Sequence, residues 1–148
     1  MKRHPYLREF SDDHHQGLVM ARRLRKAASG EEQPEQVASY FLEFWTEETE
    51  PHFVKEENAL LPVLARYGMR LDNESLVSMF VQHHYIRTLA AGLELDLTRQ
   101  DVKRETLGEL GELLDKHIRL EEREVFPMVE EFLTEEALKE VADRLAGE

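Results

Sequence analysis

Two stretches of this sequence repeat one arrangement of histidine, glutamate and proline. His52-Phe53-Val54-Lys55-Glu56-Glu57 is followed by Pro62, and His117-Ile118-Arg119-Leu120-Glu121-Glu122 by Pro127. Both read His-x3-Glu-Glu-x4-Pro. On a helix, residues i and i+4 lie one turn apart on the same face, with Cβ atoms about 6 Å apart. A His and a Glu at that spacing can therefore face one point between helices. Imidazole suits iron, zinc, copper and nickel, and a carboxylate can bridge two cations or complete the shell of one. The chemistry offered is metal binding.

A looser pair accompanies the blocks: Asp13-His14-His15 and Gln82-His83-His84. One histidine from each brings the set to four His and two Glu, enough for a pair of metals that keeps room for solvent or a small ligand. Helical phase selects between neighbours. At 100° per residue, His14 lies about 25° from the mean direction of Leu18, Ala21, Leu24 and Ala28, and His15 about 125° away. His83 lies about 23° from the apolar direction of its own helix and His84 about 123°. The inward set is His14, His52, Glu56, His83, His117 and Glu121. His15 stays open as an alternative, because Val19 leans toward its side. Glu121 shares the face of Leu114, Val125 and Met128, where an unpaired carboxylate would cost on the order of several kcal/mol, so a cation is expected beside it. Glu57 and Glu122, one residue further round, are expected to face solvent or to support the ligands.

These residues need long helices to carry them. A first helix is expected over about 11–28, with Ser11 as N-cap and Gly30 in the loop that ends it. A second runs over about 35–66 with Phe41, Phe44 and Trp45 on a heavy apolar face, and Pro51 and Pro62 bend it without ending it. A third, about 74–98, presents Leu76, Met79, Phe80, Ile86, Ala90, Leu93 and Leu97. The fourth, about 101–133, presents Leu107 through Phe132, and Thr134 caps a short last helix. No stretch alternates with period two. The expected fold is all-α: an up-down antiparallel four-helix bundle with a short additional C-terminal helix. Helices one and two resemble three and four, so an approximate two-fold axis is expected between the halves.

Composition bounds the rest. A length of 148 residues fits a single domain over 1–148, and 34% charged residues with seven Gly and five Pro favour solvated helices. The absence of cysteine removes disulfides, thiolate sites and cysteine nucleophiles. A net charge of −12 argues against a nucleic-acid partner. No stretch approaches the ~20 apolar residues of a membrane span, and the first residues lack a signal-peptide pattern, so a cytoplasmic location is expected. Neither a serine nucleophile arrangement nor a phosphate-binding glycine loop is found.

With its two His-x3-Glu-Glu-x4-Pro blocks and the histidines at 14 and 83, the chain resembles the hemerythrin-like, or HHE cation-binding, domain family over roughly residues 11–133. The resemblance implies a four-helix bundle around a non-haem di-iron centre, oxo- or hydroxo-bridged, held by His14, His52, Glu56, His83, His117 and Glu121. It also implies binding or sensing of O2, NO or redox state, or iron handling. Two positions depart from the oxygen-carrying members. Arg87 stands where they place a further ligand histidine, and their last carboxylate, an aspartate, falls at the position of Glu122. Plain oxygen carriage is therefore not implied. Ferritin-like carboxylate proteins use Glu-x-x-His, the opposite order and another spacing. A sensor or metal-binding protein is expected ahead of two alternatives: a di-iron redox enzyme acting on peroxide, NO or O2, and a structural or storage site for zinc.

Overall fold

Helical periodicity governs the chain: the computed structural model describes residues 2–147 and has no strand among them. Met1 and Glu148, the ends of the expected domain, lie outside the described residues. Helix α1 spans Arg8–Ala28 and follows a 3-10 turn at Pro5–Leu7. It begins ahead of the expected Ser11 cap because Leu7 and Phe10 are buried and hold that turn against the bundle. Ser11 instead donates its hydroxyl to Glu122 Oε2 at 2.7 Å. At the other end Gly30 takes φ 91°, and Glu31 N–H returns to the Lys26 carbonyl at 2.9 Å. That left-handed turn suits glycine and stops the helix.

Helix α2 covers residues 34–66 as one run that twice widens into a π turn, at Trp45–Thr49 and Glu56–Leu60. Helix α3 spans Glu74–Thr98, with Asn73 Oδ1 accepting from Leu76 N–H at 3.0 Å. Helix α4 covers residues 104–132, with a π turn at Glu121–Val125. Helix α5, Glu135–Ala146, is capped by Thr134. The prolines do not end α2 or α4. The residue before Pro62, Leu61, bonds back to Glu56 O, and the residue before Pro127, Phe126, bonds back to Glu121 O, each five positions earlier. The wide turn absorbs the missing donor, and Arg144 Nη1 approaches the Asn58 carbonyl that Pro62 leaves free, at 3.4 Å.

Helix α1 packs against α2 and α4, and α3 packs against the same two, which closes the antiparallel ring of four. The α1–α4 approach is tight: a Cβ on Gly111 would lie 2.8 Å from the Ala21 carbonyl oxygen. The core is divided. One apolar cluster joins Phe10, Leu60, Met79 and Phe126 to Leu138 and Val141 of α5. The other joins Leu24, Phe41, Phe53, Leu93 and Leu110. Phe44 and Trp45 sit half-buried at the edge of the second. Phe80 and Phe132, expected on apolar faces, are 36% and 43% exposed. For Phe80 the reason is that α3 carries apolar residues around more of its circumference than its neighbours cover: Val77, Val81 and Tyr85 are exposed too. Phe132 lies on the last turn of α4. No helix among the described residues is long and apolar enough to cross a membrane.

Candidate metal centre

Between the two apolar clusters lies a polar one. The four main helices each contribute one histidine, and α2 and α4 add a glutamate apiece one turn after theirs. His14, His52, His83 and His117 are all buried, and Glu56 and Glu121 are 0% exposed. Their inner atoms converge. His14 Nε2 lies 2.8 Å from Glu121 Oε1, and His83 Nε2 lies 3.1 Å from Glu56 Oε1. His52 Nε2 lies 3.3 Å from Glu56 Oε2, and His117 Nε2 lies 3.1 Å from Glu121 Oε2. Two overlapping groups result, His14–His52–Glu56–Glu121 and Glu56–His83–His117–Glu121, each with its inner atoms within 4.8 Å of one another. Both carboxylates belong to both groups.

The outer nitrogens are held as firmly. His14 Nδ1 donates to Glu122 at 2.8 Å, and His83 Nδ1 to Glu57 at 2.7 Å. His52 Nδ1 donates to Asp13 at 3.0 Å, and His117 Nδ1 to the Gln82 side-chain carbonyl at 2.8 Å. These contacts fix each ring and aim its Nε2 inward. Phe53 stacks on His83 with centroids 3.9 Å apart, and Phe126 on His14 at 5.6 Å. The aromatic rings thereby extend the apolar clusters onto the site.

The donor set fits metal on a physical test. His52 Nε2, Glu56 Oε2, His117 Nε2 and Glu121 Oε2 are buried and make no hydrogen bond, although they face each other in pairs close enough for one. Orphaned polar atoms of this kind are costly, and a cation would engage all four. Two ligands each about 2.1 Å from a shared ion at right angles stand about 3 Å apart, the spacing seen across the cluster.

Protonation tells the same story for the metal-free protein. Burial alone would lower the His14 pKa, but hydrogen bonds to Glu121 and Glu122 outweigh it and raise the value to about 9. Burial likewise opposes the rise of His83 to about 10, which Glu121, Glu56 and Glu57 drive. His52 is also raised, by Glu56 and Asp13 against its burial. Glu121 is held well below the carboxylate range, because His117 and the other imidazoles overcome a desolvation that would raise it. Protons thus supply positive charge between the buried carboxylates.

His15 and His84 are exposed, outside the cluster. Glu57 and Glu122 are half-buried supports of His83 and His14. Arg87 lies outside the cluster too and forks onto Glu57 at 2.9 and 3.0 Å. Sequence reasoning left Asp13 and Gln82 without a role. The available signal was positional, since each precedes the inward histidine of its helix in both halves of the repeat.

A cavity of about 20 Å³ borders the cluster between α1, α2 and α4, lined by His14, Gly17, His52, Phe53, His117 and Ile118 among others. In comparisons with known proteins, the family model for the Hemerythrin HHE cation binding domain matches residues 6–129 and, in a second overlapping match, 76–148. No curated protein and no solved structure gives a significant match.

Proposed function

The chain belongs to the hemerythrin HHE cation-binding domain family, and from that premise we propose that the buried cluster holds two non-haem iron ions and binds or senses O2, NO or redox state. The observation that carries this reading is the sharing of both buried carboxylates by two pairs of imidazoles. Glu56 and Glu121 would be held in common by the two ions, with His14 and His52 holding one end and His83 and His117 the other. Iron so bound supplies reversible ligand binding and electron exchange. The chain's own part is to orient the imidazoles through Glu122, Asp13, Glu57 and Gln82, to keep bulk water out with Phe53 and Phe126, and to leave a small space beside the cluster. The cavity of about 20 Å³ is on the scale of one diatomic molecule, which supports a small ligand over a bulky substrate.

Protein expressed with iron should carry two iron ions per chain and show near-ultraviolet or visible absorption from the bridged pair under air. Absence of both iron and absorption after aerobic iron loading overturns the proposal, and zinc in their place establishes the structural or storage reading. A spectral change with O2 or NO that stops at one equivalent per centre supports binding or sensing. Sustained consumption establishes a redox enzyme.

A further inference from the structure

The repeat brings two nearly equivalent half-sites together, but their outer partners are not equivalent. At the His14–His52 end both outer nitrogens donate to carboxylates, those of Glu122 and Asp13. Among the described residues no lysine or arginine pairs with Asp13, and Glu122 meets Arg3 at 3.4 Å. At the His83–His117 end the partners are Glu57 and Gln82. The Gln82 amide carries no charge, and Glu57 is clamped by both terminal nitrogens of Arg87 at 2.9 and 3.0 Å. Ser11 also donates to Glu122, at 2.7 Å, so the clearest difference is that of Asp13 against Gln82. A carboxylate on the outer nitrogen makes an imidazole a stronger ligand than an amide does, and a guanidinium fork withdraws much of what Glu57 would contribute. Solvent at the partly exposed Asp13 weakens its field but leaves its hydrogen bond intact. The two central carboxylates are common to both ends, so they do not offset the imbalance.

Resting on the two-metal reading above, we propose that the ends are unequal: the His14–His52 position takes the first ion and holds it tightly, and the His83–His117 position is the exchangeable one. Gln82 and Arg87 are positioning residues that set this difference. Gln82 lines a wide polar groove between α3 and α4 that includes Ser78, Asp115 and Arg119. When metal is scarce the chain holds one ion, and the second position fills or empties with supply.

The test uses full-length metal-free protein and zinc(II), whose position is read by anomalous diffraction at its absorption edge. With one equivalent of zinc, the peak between His14 and His52 should exceed the other by tenfold or more, on the order of the effect of an outer partner. Equal peaks, or a stronger peak between His83 and His117, overturn the inequality while leaving two-metal binding intact. No peak at either end with two equivalents removes the metal-centre reading itself. The exchange variant D13N/Q82E should move the first ion to the His83–His117 end. A first ion that stays at His14–His52 in that variant overturns the assignment of the difference to Asp13 and Gln82. Should the exchange variant fold poorly, Asp13→Asn alone should weaken the first zinc step by roughly 10–100-fold in competition with a chelator, and an unchanged first step overturns the same assignment.

Discussion

In the metal-free protein His14, His52 and His83 are held in their protonated form where the proposed ions would sit, and this makes its stability depend on pH in a definite sense. His14 and His83 titrate near 9 and 10 when folded and near 6.5 when unfolded. Their stabilisation is complete below pH 6.5 and is lost as pH rises through 9 to 10. Glu57 runs the other way: despite a desolvation that would raise it, His83 and Arg87 bring it from 4.5 to about 2. Its contribution is complete above pH 4.5 and is lost as pH falls toward 2. The urea midpoint of metal-free protein should therefore peak between pH 4.5 and 6.5 and decline on both sides. Metal replaces these protons, so loading should acidify an unbuffered solution and tighten with rising pH. Substitutions test the same atoms. His117→Ala and Glu121→Ala should each lose bound metal by elemental analysis, and His84→Ala, exposed on α3, should retain it. Full metal content in both of the first two would rule out the assignment.

At the level of elements, the trailing proline of each block acquires a meaning that spacing alone did not convey. Pro62 and Pro127 follow π turns that open at Glu56 and Glu121, so the helices accommodate a missing donor directly beside the carboxylates. Close approach of α1 and α4 is a second element-scale requirement. Gly111 lets the Ala21 carbonyl come near, and any side chain there must push the helices apart. Gly111→Ala should cost about 1–3 kcal/mol in urea unfolding, the usual range for overpacking a tight contact. Because His14 and His117 sit on those two helices, the same variant should also weaken metal retention. An unchanged midpoint would show that the helices can yield at no cost.

Across the whole molecule the polar cluster is sandwiched between two apolar cores, and α5 completes the one around Phe10 and Phe126. Neither core contains a ligand, so the bundle does not depend on metal for its apolar burial. Removing metal should leave helical content by circular dichroism nearly unchanged and lower the melting temperature, since an ion that binds only the folded state stabilises by mass action. Loss of helix on chelation would show instead that the ions hold the bundle together.

Much of this was legible in the sequence. The doubled His-x3-Glu spacing and the phase of His14 and His83 identified six side chains that the fold does bring together, because i and i+4 geometry and helical phase are local properties. Gly30 and Thr134 likewise marked helix ends through local backbone chemistry. What sequence could not decide is whatever depends on a partner from another helix. Phe80 looked like core because its own helix cannot say how far its neighbours reach. Ser11 looked like a cap because its bond to Glu122 crosses the bundle. Asp13 and Gln82 looked idle because each serves a histidine on a different helix. Only the packing of α1 with α2, and of α3 with α4, made them supports of the site, and only that packing made its two ends unequal.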